Sequence, residues 1–261
     1  MMNIPADILT EIDVTYRLCN DFLKGLWFLA QDASRDQNFN NSHLLHYLID
    51  DYVESAMSIP LLINESIHNV CFRELRFILE MSIKICFIQQ QNYNAAIDEK
   101  IALYKKYLNS PSISIKNSIN IGYLKNEDKS DFFEESGRIY GETSNYAHLT
   151  FNQIEKRMLL FESGRTLGNE RVVDVKCLNS ILFRTLSCSF VYLANSVPAF
   201  AVGDLFVDSD GKSFNWMLSY SKYIALIDEY FDYKCERQEH LDSIRKERWD
   251  RVKNAENQFC H

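Results

Sequence analysis

Apolar residues recur three and four apart along most of the chain. Ile8, Ile12, Tyr16, Cys19, Phe22, Leu23, Leu26 and Ala30 draw one stripe and predict a helix over 5–30. Pro5 suits its first turn, where a missing N–H costs nothing. The polar stretch 31–41 reads as a loop. Ser42 reads as the N-cap of a second helix carrying Leu45, Leu48, Ile49, Val53, Ala56 and Met57, which Pro60 is expected to kink or end. Further helices are predicted over 66–90 and 94–108, the latter with Asp98 in its first turns. The polar segment 109–129 predicts a long surface loop.

Ser130 then reads as a cap for a helix reaching Leu149, and 152–171 is ambiguous. A strongly apolar helix is predicted over 174–202, with Pro198 near its end. Asp208-Ser209-Asp210-Gly211 marks a turn, and a helix follows over 213–233. Beyond Lys234 both signs of charge mix densely, and Leu241, Ile244, Trp249 and Val252 leave a thin apolar face. That pattern suits a solvated terminal helix or one that docks a partner. The fold class is therefore all-α: a single multi-helix bundle over 1–233 with a long irregular loop, followed by a charged C-terminal helix or tail over 234–261.

Composition adds bounds. In 261 residues there are 8 Gly and 4 Pro, too few for a fold made of many tight turns. The formal net charge of -8 argues against extended nonspecific DNA binding, because phosphate contacts demand a basic surface. Seven cysteines without a C-x-x-C pair read as reduced thiols rather than a disulfide framework or zinc site. His43 and His46 stand i, i+3, but only Asp50 offers them a nearby third ligand. No basic leader precedes an apolar stretch, and charged residues break the longest apolar windows. The expectation is a cytoplasmic protein with no membrane span, metal or cofactor. The glycine-rich phosphate loops and the nucleophile elbow of hydrolases are absent from the sequence.

Two helices break their own pattern. From Cys71 the chain reads CFRELRFILEMSIKICFIQQ, apolar almost all round except for Arg73, Arg76, Glu80 and Lys84. At 100° per residue these four fall within about an 80° arc. Such a stripe, sunk among other helices, is either a salt-bridge ladder or a cationic surface for an anion, since three cations face one carboxylate. From Ser130 the chain reads SDFFEESGRIYGETSNYAHLTF, and Gly137, Tyr140, Gly141, Ser144 and His148 share a sector of about 100°. Each helical glycine costs roughly 1 kcal/mol against alanine, so two on one face imply a close approach to the backbone by a neighbouring helix or a ligand. His148 is the residue there able to exchange a proton near neutral pH.

The R-x-x-R-x-x-x-E helix (Arg73, Arg76, Glu80) followed by Y-x-x-x-S-x-x-x-H (Tyr140, Ser144, His148) resembles a group of uncharacterised bacterial helical proteins. More distantly, SNYAHLTF is similar to the helix-borne motif of the HEPN-domain superfamily, helical bundles of toxin and antiviral systems that are often dimeric and often metal-independent ribonucleases. The likeness covers about 42–160. Asn145 resembles the motif's polar residue and His148 its histidine. The family's preceding arginine has no counterpart, because Gly141, Glu142 and Thr143 fill that interval and the nearest arginine before it is Arg138.

The resemblance implies a bacterial stress or antiphage defence protein, acting on RNA if catalytic. His148 would be general acid or base, with Arg73 or Arg76 stabilising phosphate charge. Tyr140, Ser144, Asn145, Glu80 and Lys84 would position the substrate. A homodimer or a protein partner is expected. The alternative is a non-catalytic interaction module in such a system. A third reading is a small-molecule-binding bundle that uses the glycine face.

Overall fold

A computed structural model describes residues 5–107, 112–147, 151–162 and 171–259. Among them the fold is all-α, as the periodicity predicts. Four long helices form the centre: α1 (Ala6–Ala33), α3 (Leu44–Asn64), α4 (His68–Gln91) and α9 (Val172–Ala194). Here α2 is Gln37–Ser42, α5 is Ile97–Tyr107, α6 is Ser112–Ile115, α7 is Asn126–Ala147 and α8 is Phe151–Glu162. The remainder are α10 (Ala199–Phe206), α11 (Lys222–Tyr230) and α12 (Leu241–Phe259). Helix α4 is enclosed by α3, α9, α7, α5 and α6, which is why it is apolar on nearly every side. Leu75, Ile78, Leu79, Ile83, Ile85 and Cys86 are wholly buried there. Each such aliphatic side chain contributes about 1.5–3 kcal/mol by leaving water.

Several boundaries differ from the sequence reading, each for a local reason. Pro60 does not end α3, which runs on to Asn64. The break in hydrogen bonding is outweighed by burial, since Ile59, Pro60 and Ile63 all face the core. Ser42 is not the cap. His43 takes that place, its Nδ1 accepting from the Leu45 amide at 3.1 Å, and the expected loop before it contains α2, capped by Asp36. The long loop is shorter than predicted, because α6, a 3-10 turn and the start of α7 at Asn126 occupy part of it. Ser130 therefore lies inside α7. The ambiguous 152–171 region contains α8.

The apolar run predicted as one helix over 174–202 divides. Asn195 caps α9, and Pro198 opens α10 with the φ that a first turn needs. Helix α9 is, by length and composition, able to cross a membrane, contrary to the expectation that no window qualifies. In the fold 78% of that window is buried inside the protein, between α1 and α4.

The C-terminal segment is not a bare solvated helix. Ile244, Val252, Ala255 and Phe259 are buried, and Phe259 stacks on Phe183 of α9 at 4.4 Å. The 208–211 turn closes as expected. Gly211 has φ +77 and a Cβ there would run into the Glu236 carbonyl, so both conformation and space require glycine.

Candidate functional site

The two pattern-breaking helices meet. Arg76 of α4 and Tyr140 and Ser144 of α7 join across the α4–α7 crossing, with Glu80 one turn beyond Arg76. The Arg76 Nε donates to Glu80 Oε1 at 2.8 Å, the i, i+4 pair that the spacing predicts. Its Nη2 donates to the Tyr140 hydroxyl at 2.8 Å, and its Nη1 donates to Ser144 Oγ. The guanidinium carbon also stands 4.3 Å from the centre of the Tyr140 ring. Ser144 in turn donates to the Tyr140 carbonyl, so its hydroxyl both accepts and donates.

The stripe runs from surface to interior. Arg73 is exposed, Arg76 and Glu80 are partly covered with 14% and 27% of their side chains open, and Lys84 is buried. Burial pushes the Tyr140 phenol above its ordinary pKa, and the Glu80 carboxylate adds to this, against the opposing pull of Arg76. The phenol therefore stays protonated and serves as a hydrogen-bonding group rather than a base. A guanidinium has five N–H donors, and three of those of Arg76 are committed here.

Arg73 takes another place. Its Nε donates to the Tyr146 carbonyl at 2.9 Å, and the neighbouring Phe72 stacks on the Tyr146 ring at 4.0 Å and 14°. Two consecutive α4 residues thus pin the last turn of α7. Among the described residues Asn145 takes no hydrogen bond from the Arg76 cluster. His148 lies outside the described residues. Among the described residues no atom beyond the neighbouring backbone of α7 lies within 4 Å of where a Cβ on Gly141 would stand.

Glu142 and Arg138, on the other sector of α7, are engaged elsewhere. Arg184 of α9 bridges Glu135 and Glu142, and Arg138 pairs with Glu134 and Glu135. His43, one of the histidine pair, is also committed to structure, while His46 is exposed. His43 is buried, its Nε2 2.8 Å from the Ser196 carbonyl, which assigns the proton to Nε2. Burial lowers its pKa to about 4. Among the described residues no group of three metal-ligating side chains occurs. Cys19, Cys71, Cys86 and Cys188 are buried, as reduced core thiols would be, and burial raises Cys71 to about 12. None is an activated nucleophile.

Sequence reading misses one constellation. Arg237 and Arg248 are buried against Asp228 and Asp232 where α11 meets α12. The i, i+4 spacing of the two aspartates was the available signal, but their partners lie up to 20 residues away.

Comparisons with family models, with curated proteins and with solved structures return no match.

Proposed function

We propose that the α4–α7 crossing receives an RNA phosphate and that the chain is a HEPN-like protein of a bacterial stress or antiphage defence system, acting as a metal-independent ribonuclease. The observation that carries this is the posture of Arg76. Glu80, Tyr140 and Ser144 fix its planar fork, two of its N–H groups have no partner among the described residues, and Gly141, next to Tyr140 on α7, is exposed. In this reading Arg76 stabilises charge on the phosphate. Arg73 acts indirectly, by holding the end of the helix that leads to His148. His148 moves the proton, and Tyr140 and Ser144 orient the arginine rather than the substrate.

The test is cleavage of a mixed RNA substrate by purified protein with a chelator present, comparing the wild type with His148→Ala. General acid–base assistance is worth roughly 10²–10⁴-fold, so the variant should lose cleavage while keeping its helical spectrum. Equal cleavage by the two would remove His148 from the mechanism.

A second reading, the non-catalytic interaction module, draws on α8. Phe151, Ile154, Met158 and Phe161 fall within about an 80° arc of that helix and are all exposed, Phe161 by 86%. Apolar groups concentrated this way on a surface mark contact sites. This reading expects a wild type that does not cut RNA.

A further inference from the structure

Helices α1 and α3 run antiparallel with their inner faces in the core. The Tyr16 hydroxyl accepts from Asn64 Nδ2 at 2.8 Å at one end of the pair, and Phe22 meets Tyr52 at 6.2 Å further in. The outer faces of the two helices are apolar as well. Leu9, Tyr16 and Trp27 of α1 fall within about a 20° arc, and Met57 and Leu61, one turn apart on α3, lead up to Asn64. All five are between 41% and 60% exposed. Exposed apolar side chains scattered singly are ordinary, but two rows side by side on neighbouring helices make the kind of groove that takes a further helix.

The charges set among these rows are of one sign. Asp13, Asp50 and Glu54 are exposed on the same outer faces, and among the described residues none of the three has a hydrogen bond or an ion pair. Helix α3 contains neither lysine nor arginine. Of the two cations of α1, Lys24 already answers Asp21 at 3.8 Å, and Arg17 stands about 80–100° round the helix from the apolar row. A surface of this kind repels a second copy of itself, and it repels nucleic acid and anionic lipid for the same reason. It attracts a cationic partner.

We propose that the outer face of α1 and α3 docks a basic amphipathic helix of a partner protein. The apolar side of that helix lies along Trp27, Tyr16, Met57 and Leu61, and its lysines or arginines stand over Asp13, Asp50 and Glu54. The surface shares no residue with the α4–α7 crossing or with α8, and its test reads nothing of RNA cleavage, so it stands or falls apart from the function proposed above.

The experiment titrates the full chain with a synthetic amphipathic helix of leucine and lysine, and with the same peptide carrying glutamate for lysine. The readout is the emission of Trp27, which is half exposed while Trp216 is buried, with Trp27→Phe as the blank for the other two tryptophans. A saturable blue shift with the lysine peptide is expected, and binding of the glutamate peptide weaker by at least about tenfold. Leu61→Ser should weaken the lysine peptide by at least about tenfold, as loss of an apolar anchor does. Asp50→Lys with Glu54→Lys should do the same and should favour the glutamate peptide; this pair carries the test should Leu61→Ser fail to fold. Phe161→Ser, on the exposed face of α8, should change nothing. No saturable shift, equal binding of the two peptides, folded variants that bind like the wild type, or an equal loss in Phe161→Ser overturns the proposal. So does a wild-type dimer in sedimentation that Leu61→Ser dissociates, because the occupant is then a second copy, or a Trp27 shift with anionic vesicles that matches the one with the lysine peptide.

Discussion

Arg76 and Tyr140 touch twice. The guanidinium stands over the phenol ring at 4.3 Å and also donates to its hydroxyl at 2.8 Å. A helix pair joined this way has its register fixed at one point, since sliding α7 by a turn would break both contacts together. The pair separates by mutation. Tyr140→Phe keeps the ring and deletes the hydroxyl, and should cost about 1 kcal/mol in urea unfolding. Arg76→Ala loses the Glu80, Ser144 and Tyr140 bonds at once, and should cost about 2–3 kcal/mol. If Tyr140→Phe cost as much as Arg76→Ala, the hydroxyl rather than the arginine would be the centre of the cluster.

Glu80→Ala tests the stripe from the other side. A fully buried pair would lose about 3–5 kcal/mol on removal of one partner. Glu80 keeps 27% of its side chain open to water, so solvent compensates part of that loss. A destabilisation of about 1–2 kcal/mol is expected. An unchanged melting temperature would show the ion pair to be idle.

Gly141→Ala should stabilise the protein. Among the described residues nothing beyond the helix's own backbone stands within 4 Å of the new Cβ, and alanine gains roughly 0.8–1 kcal/mol over glycine inside a helix. For a chain of this size that is a melting temperature higher by about 2–4 °C. If the open face over α7 serves RNA, the same variant should also cut RNA more slowly. A lower melting temperature would mean that the backbone at Gly141 is under a constraint the packing does not reveal.

Stability should fall as pH drops through a window set by His43. Its pKa is near 4 in the fold against 6.5 in the unfolded chain, because burial penalises the charged ring. Between those values the unfolded chain binds the extra proton. The contribution of His43 is therefore complete above about pH 6.5, shrinks as pH falls, and stops changing below about pH 4, a total of about 3 kcal/mol. Urea midpoints of the wild type and His43→Gln, measured across that window, should differ in slope as well as in level. Parallel slopes would assign the acid sensitivity to other groups. The carboxylates held down by cations, such as Asp131 by Lys222, lose their contribution at lower pH still, as they protonate.

How much of this was legible in the chain depends on distance along it. The apolar stripes of α1 and α4 follow from spacing alone, and so does the Arg76–Glu80 pair, one turn apart. The meeting of Arg76 with Tyr140 and Ser144, 64 and 68 residues away, was foreshadowed only by two helices that each carry polar groups where their neighbours are apolar. Helix ends were less legible, because tertiary burial overrides local signals. Pro60 reads as a stop but is carried through by the core around it, while Asn195 interrupts a run that stays apolar on both sides. The mixed charges after Lys234 read as solvated because no local spacing announces that Arg237 and Arg248 turn inward to Asp228 and Asp232. Removing residues from Lys234 onward would strand those aspartates in an opened core, so truncation there reports on folding before it reports on any partner.

Arg76 is proposed to be held in place for a phosphate rather than only for the fold. Arg76→Lys isolates the point, because lysine retains the charge and the reach to Glu80 but lacks the planar fork that meets Tyr140, Ser144 and a phosphate at once. The measurement is the rate of RNA cleavage in chelator by the wild type and Arg76→Lys, at matched helical content. Cleavage by the wild type and a loss of at least about a hundredfold in Arg76→Lys are expected, in the range seen when one group that stabilises transition-state charge is removed. Cleavage at the same rate by both folded proteins, or none by the wild type, would contradict it.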